Sequence, residues 1–187
     1  MTSLSPHTVL ISPIGPFDPI LLETVAQGIQ RVFGLESTVS SLISDLAFAF
    51  DPKRDQYHST PILAKLAAAA PAWALKVLAI TKVDLFIPIL THVYGEAQLG
   101  GRACIVSFFR LNEGPSILHA PQIHVKRLVK EAVHELGHTF RLRHCPSPVC
   151  LMHYCRSEAD VDRKSDQLCR YCQVLLQDEL RRTGTQK

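Results

Sequence analysis

Residues 134–144 read HELGHTFRLRH and carry the most informative motif of the sequence. It closes a segment whose apolar residues repeat every 3.6 positions, which predicts an α-helix from about Val125. The apolar stripe consists of Val125, Leu128, Val129, Ala132, Val133 and Leu136. His134 and His138 are four residues apart, so they lie one turn apart on one face, roughly opposite this stripe. We therefore expect a helix that buries its apolar back and presents two imidazoles at its front.

Two helical histidines and a third from the following turn, His144, predict a zinc site with three nitrogen ligands. Three protein ligands leave a fourth position for water, whose pKa the metal lowers toward ~7. Glu135 points along a different vector from His134, so it is placed to take the proton of that water rather than to bind zinc. This arrangement is typical of a water-activating hydrolase. A solvated polar helix face would account for His134 and Glu135 but not for His144.

Four cysteines that follow directly predict a second, structural zinc site. Cys145 and Cys150 form a C-x4-C pair, and Cys169 and Cys172 form a CxxC at the start of another predicted helix. Two such pairs favour a closed tetrahedral zinc site that would staple the short C-terminal tail to the segment carrying His144. The alternatives are buried cysteines or a redox pair, although the thioredoxin-like setting of a redox CxxC is missing.

Two other cysteines receive different interpretations. Cys155 could compete as a ligand, but we rank it as spare because Cys145 is tied more closely to the histidine motif. Cys104 falls in a predicted strand and is expected to be a small buried hydrophobe. We therefore expect two zinc ions per chain, one for each cluster.

Composition limits the remaining function classes. The 187 residues are 47% hydrophobic and carry a net charge of +3, which fits one compact domain and does not argue for nucleic acid. A nucleic-acid-binding zinc finger on the cysteine cluster is a rival, but acidic residues interleave with its arginines as on a solvated face. The apolar stretch 61–80 is interrupted by Lys65, Pro71 and Lys76, so we expect no membrane span. The N-terminus has no signal-peptide pattern, and we expect a reducing, cytoplasmic location.

The residues before the long helix alternate between strand and helix signals. One helix should start at the cap Asp18, with Pro19 first, and stop at Gly34. A second should start at Thr60 and Pro61 and end before Pro71. We expect strands at 7–12, 36–43, 76–81, 84–89 and 102–111, and a loop at 113–121. This order predicts the α/β class, with helices packed on a mixed sheet.

The residues from His134 to Cys172 resemble archaemetzincin, a branch of the metzincin zinc peptidases. The shared pattern is HExxH, a third histidine with a cysteine directly after it, x4-Cys, x-Met and CxxC. The resemblance implies that Met152 is the Met-turn methionine, a hydrophobic floor beneath the zinc. It also implies a zinc metallopeptidase that acts on peptides or proteins, with Glu135 as general base and then general acid. The implied domain spans 1–187, with subdomains 1–144 and 145–187 and a cleft between them.

One position departs from the metzincin pattern. Metzincins usually carry glycine where this chain has Arg141, because a left-handed turn there brings the third histidine round. Arginine in that conformation would cost on the order of 1 kcal/mol. Its guanidinium is expected to be exposed, with a contact to a substrate carboxylate as the alternative. This departure keeps open a catalytically weak or inactive zinc-binding module of the same fold that serves partner binding.

Two further expectations come from the resemblance alone. Tyr154 looks like the tyrosine of astacin-type metzincins, which can approach the metal or stabilise the oxyanion. The segment 95–107 is a candidate edge strand that would pair with an extended peptide substrate. The sequence is silent on the oligomeric state.

Overall fold

The computed structural model describes residues 7–113 and 122–184. Their helices are α1 (Pro19–Phe33), α2 (Ser59–Ala69), α3 (Ile123–Thr139), α4 (Glu158–Arg163) and α5 (Arg170–Arg182). Their strands are β1 (Thr8–Ile14), β2 (Ser37–Val39), β3 (Phe50–Asp51), β4 (Gln56–His58), β5 (Ala74–Thr81), β6 (Leu85–Phe86), β7 (Gly95–Ala97) and β8 (Ala103–Ser107). Residues 1–6, residues 114–121 of the loop predicted at 113–121, and residues 185–187 lie outside the described residues.

A five-stranded sheet with the order β2-β1-β5-β8-β7 forms the centre of the fold. Neighbouring strands are parallel except for β7, which runs antiparallel to β8 at one edge. Alternate residues of the inner strands face opposite sides: Ile11 and Leu78 pack toward α1 and α3, whereas Leu10 and Val77 pack toward α2. The inner strands are mostly apolar because both of their faces are covered, with Ser12 and Lys76 among the buried polar exceptions. The predicted α/β class is confirmed.

Helix α1 begins and ends at the residues that the sequence predicted. The Asp18 carboxylate accepts the backbone N–H of Ile20 at 2.9 Å, Pro19 occupies the first helical position, and Gly34 ends the helix with a φ of 69°. Gly28 lies at the contact with α3, where a Cβ would come within 2.6 Å of Val129 Cγ1. The two helices therefore pack closely, which holds α3 on the sheet.

The histidine face of α3 differs from the expectation. The side chains of His134 and Glu135 are only 4% and 7% exposed, so this helix is buried on its front as well as on its apolar back. Residues from the C-terminal part cover the front, because Leu151 and Lys164 both contact the His134 ring. A periodic pattern identifies the two faces, but it does not reveal a distant segment that covers one of them.

The strand predictions at 36–43, 84–89 and 102–111 were too long, because the corresponding strands are Ser37–Val39, Leu85–Phe86 and Ala103–Ser107. Strand β8 ends at Ser107, whose hydroxyl bonds Val83 O and the N–H of Phe109, and a 3₁₀ turn follows at Arg110–Asn112. The candidate edge strand 95–107 is two antiparallel strands, β7 and β8, of which β7 forms the edge. Within the described ranges, no helix is both long and apolar enough to span a membrane.

Candidate active site

Three histidines converge where α3 ends. His134 Nε2 and His138 Nε2 are 3.1 Å apart. The His144 ring lies 5.3 Å from the first ring and 4.8 Å from the second, measured between centroids. Each histidine offers one nitrogen, and these nitrogens all lie within 4.8 Å of one another. The structure thus brings together the three residues that the sequence predicted.

The turn after α3 brings His144 into this cluster. Arg141 has a φ of 62°, its N–H bonds His138 O at 3.0 Å, and the N–H of Leu142 bonds Gly137 O at 3.2 Å. These bonds form a Schellman motif with arginine at the position that glycine usually occupies. The predicted left-handed turn is therefore present. The Arg141 side chain is exposed, lies 3.6 Å from Glu179, and is not among the residues that line the cleft.

The hydrogen bonds of two rings fix their tautomers. His134 Nδ1 lies 2.9 Å from Leu151 O, and His138 Nδ1 lies 2.7 Å from Leu142 O. A carbonyl oxygen only accepts, so each Nδ1 carries the proton and each Nε2 holds a lone pair. Two such lone pairs 3.1 Å apart repel each other, and a cation bound between the rings would remove this repulsion. The donor set therefore fits Zn²⁺, and the two carbonyls act as the supporting acceptors that zinc-binding histidines use.

Burial keeps these rings neutral in the absence of metal. It lowers the pKa of His134 well below its ordinary value, and the nearby Lys164 ammonium acts in the same direction. Burial also lowers the pKa of His138 to about 4, although its bond to Leu142 opposes the shift. Burial lowers the pKa of His144 as well. Neutral imidazole is the form that binds zinc.

The carboxyl group of Glu135 is buried beside the histidines and is not part of their cluster. Burial raises its pKa well above the ordinary value, the charges of Glu131 and Glu96 add to the rise, and Lys164 opposes it. Strand β7 passes directly over this side chain, because a Cβ on Gly95 would lie 2.6 Å from Glu135 Cγ. Sequence reasoning missed Gly95. The available signal was a glycine within a strand, which often marks a close approach of backbone.

Met152 lies against the turn of α3 that joins the two helical histidines. Its side chain is fully buried, and its Sδ would be 2.7 Å from a Cβ on Gly137. The Met152 side chain therefore fits against this turn because Gly137 has no side chain. Sequence reasoning quoted Gly137 within the motif without assigning it this role.

Tyr154 lies at the rim of the site. Its ring is 5.0 Å from the His144 ring between centroids, and it is 42% exposed. The side chain lines the cleft that opens over the histidines. It is therefore within reach of a bound peptide.

The four predicted cysteines also come together. The sulfur atoms of Cys145, Cys150, Cys169 and Cys172 lie within 4.8 Å of one another. Cys169 caps the N-terminus of α5, as the sequence predicted, and the N–H of Cys172 lowers the pKa of its thiol to about 7. Cys155 lies outside this group, and burial raises the pKa of its thiol to about 11. Cys104 is buried in β8, as expected.

Leu151 connects the cysteine cluster to the histidine cluster. It follows Cys150, its O accepts the His134 Nδ1 proton, and its N–H bonds Gln167 O at 2.9 Å. The fully buried Lys164 also packs beside this ring: its Nζ pairs with Glu131 Oε1 at 2.7 Å and lies 3.4 Å from His134 Nδ1, without a hydrogen bond there because both atoms carry protons. Residues of the C-terminal segment thus contact the His134 ring and hold it in position.

A cleft of about 710 Å³ opens over the histidines. The residues that line it include β7, the three histidines, Tyr154 and Arg156. A volume of this size is typical of a binding site. Because a three-histidine centre with an adjacent carboxylate opens onto the edge of the sheet, fold and site together are those of a zinc metallopeptidase.

Comparison with known sequences gives the family. The sequence model of Peptidase family M54 matches residues 65–178, and the chain belongs to that family. Archaemetzincin from Methanopyrus kandleri is 40% identical over 136 residues, covering 73% of this chain and 74% of that protein. Archaemetzincin from Pyrococcus furiosus is 33% identical over 183 residues, covering 93% and 94%. The resemblance seen in the sequence is confirmed.

Solved structures agree with this assignment. The crystal structure of archaemetzincin from Methanopyrus kandleri superimposes with a TM-score of 0.83 at 31% identity, covering 97% of this chain and 99% of that one. Archaemetzincin from Archaeoglobus fulgidus, complexed with malonate, gives a TM-score of 0.75 at 32% identity, covering 90% and 99%.

Proposed function

We propose that this zinc metallopeptidase hydrolyses peptide bonds with His134, His138 and His144 holding the catalytic zinc and Glu135 acting as general base. The observation that carries the proposal is the pair of Nε2 lone pairs that face each other across 3.1 Å while both Nδ1 atoms are bonded to carbonyls. Zinc bound there supplies Lewis acidity, which acidifies a water and polarises a carbonyl.

Glu135 receives the proton of the attacking water and returns it to the leaving amine. Its burial supports this role, because a carboxyl group with a raised pKa is a stronger base. Tyr154, 5.0 Å from the His144 ring, is placed to donate a hydrogen bond to the developing oxyanion.

Strand β7 binds the substrate as an added strand. It is the last strand on its side of the sheet in the described ranges, so its outer backbone groups are open to an extended peptide. Gly95 contributes to this role, because its lack of a side chain brings the strand into contact with Glu135. A peptide paired with β7 would therefore pass beside the catalytic carboxylate.

The cysteine cluster holds a second, structural zinc, which gives two zinc ions per chain. Four sulfur atoms in one cluster leave no open position for substrate. The chain then forms one catalytic domain, with subdomains 1–144 and 145–187. One hydrophobic cluster contains residues of both parts, from Val9 in β1 to Leu180 in α5, which supports treating them as parts of one domain.

The test compares the zinc-loaded protein with its Glu135→Gln variant on a peptide library read by mass spectrometry. We expect the variant to keep its zinc and to lose activity by a factor of about 10² or more. Glu23→Gln, at an exposed position of α1, is the matched control and should cleave normally. Equal cleavage by both variants would remove Glu135 from the mechanism, and no cleavage by the unaltered protein would favour the inactive binding module.

A further inference from the structure

Two arginines line the cleft without an acidic partner among the described residues. They are Arg143, directly before His144, and Arg156, two residues after Tyr154. Neither guanidinium takes part in a salt bridge or a side-chain hydrogen bond within 7–113 and 122–184, whereas Arg110 pairs with Asp84 and Arg127 with Asp162. Both side chains are exposed to the cleft and are free to bind a ligand.

The acidic groups near the cleft are already occupied. Glu96 accepts hydrogen bonds from Ser59 at 2.5 Å and from Thr60 at 2.9 Å. Glu131 pairs with the buried Lys164 at 2.7 Å. Asp160, close to Arg156 in sequence, accepts that residue's backbone N–H and lies 3.7 Å from the Arg163 guanidinium. Apart from the carboxyl group of Glu135, which the proposed function uses as general base, the unpaired charge in the cleft is therefore positive.

Both arginines belong to the same wall. The rings of His144 and Tyr154 are 5.0 Å apart, and the N–H of Cys145 bonds Met152 O at 2.8 Å, so the two segments run side by side. The lining also includes β7, whose Glu96 carboxylate is hydrogen-bonded by Ser59 and Thr60. The unpaired arginines of the cleft therefore come from the two neighbouring segments around His144 and Tyr154.

We propose that Arg143 and Arg156 select peptides that place a carboxylate against this wall, beside the scissile bond. The inference rests on the proposed function, because it assumes that the cleft takes a peptide. A guanidinium binds a carboxylate through two parallel hydrogen bonds and gains much less from a neutral amide. The partly enclosed cleft screens this interaction less than open solvent does. The carboxylate belongs either to an aspartate or glutamate side chain or to the C-terminus of the peptide.

The experiment measures binding rather than cleavage, so it does not depend on turnover. The zinc-loaded Glu135→Gln variant is titrated with fluorescein-labelled hexapeptides of alanine that carry Glu or Gln at each position in turn. Every peptide is made with a free and with an amidated C-terminus. We expect at least one acidic peptide to bind about tenfold more tightly than its neutral counterpart at low salt, with the ratio falling as salt increases.

Substitutions then assign the preference to the two arginines. Arg143→Gln and Arg156→Gln, each added to the same background, should reduce the ratio while leaving the affinity of the neutral amidated peptide unchanged. The control is Arg170→Gln, which replaces an exposed arginine at the start of α5 outside the cleft and should leave the ratio unchanged. If the preference is lost when the C-terminus is amidated, the arginines bind the terminal carboxylate of the peptide. If the preference persists, they bind a side-chain carboxylate.

The proposal is overturned if acidic and neutral peptides bind equally, if neither binds, or if the preference survives both substitutions. Failure of the proposed function is a separate result: the protein with Glu135 intact would then cleave no peptide, whatever the binding ratio.

Discussion

At the scale of single residues, Arg141 is the position where the chain departs from the metzincin pattern and yet keeps its turn. The φ of 62° is unfavourable for any residue with a Cβ, and Asp55 is the other non-glycine residue with a positive φ in the described ranges. The hydrogen bonds to His138 O and Gly137 O hold the strained residue in place. The site thus compensates for the lost glycine, and the departure leaves the position of His144 intact.

Relief of this strain should be measurable. Arg141→Gly is expected to raise the free energy of unfolding by about 1 kcal/mol relative to Arg143→Gly, because both variants gain the same freedom in the unfolded chain. Arg143 lies two residues further along and has no positive φ. Denaturant unfolding of the two variants tests this. Equal stabilities would mean that Arg141 is not strained.

Among the elements, the end of α3 is tied to the sheet by Lys76 of β5. Its ammonium donates to Thr139 O and Gly101 O, each at 2.7 Å, and so joins the last turn of the active-site helix to the turn between β7 and β8. Burial lowers the pKa of Lys76 to about 8 from 10.5; Arg102 and Arg141 act in the same direction, and Cys104 and Glu179 oppose it.

This shift predicts a pH dependence of stability. Between pH 8 and 10.5 the unfolded chain binds more protons at this lysine than the folded chain does, so stability contributed by this group rises with pH. The difference in unfolding free energy between the unaltered protein and Lys76→Met should therefore increase by roughly 2–3 kcal/mol across that window. Denaturant unfolding at several pH values measures it, and groups that titrate equally in both proteins cancel. A constant or falling difference would contradict the assignment.

The ion pair between Lys164 and Glu131 joins α3 to the segment after α4. Both side chains are buried, and removing one partner leaves an uncompensated charge. Lys164→Met should lower the free energy of unfolding by about 3 kcal/mol or more, and Lys164→Met with Glu131→Leu should recover much of that loss. Thermal and denaturant unfolding of the two single variants and the double variant form the cycle. Strictly additive losses would show that the pair does not interact.

Local elements were predictable from sequence for a physical reason. The caps of α1, the period of α3 and the position of Cys169 at the start of α5 depend on residues close in the chain. The sheet order, the edge position of β7 and the cover over His134 depend on contacts between distant segments. Gly95 belongs to this second group, because its need for space arises from Glu135, 40 positions away.

For the molecule as a whole, the histidine and cysteine clusters belong to one connected structure. Leu151 hydrogen-bonds His134 and Gln167, and Cys150 accepts the N–H of Cys169 at 3.3 Å. The candidate ligands themselves were predictable, because each motif spans a short stretch. Their connection was not, since it is made through the backbone groups of Leu151, whose partners the spacing of the motif does not specify.

We propose that the chain holds two separate zinc ions, one at the histidines and one at the cysteines. The decisive measurement is the zinc content per chain, by elemental analysis of protein purified without chelator or metal-affinity resin. We predict two zinc ions per chain for the unaltered protein and one for His138→Ala, with a folded cysteine site. His124→Ala, on α3 but outside the cluster, should keep both ions. A single zinc that survives in His138→Ala would mean that only the cysteine cluster binds metal, and it would contradict the account.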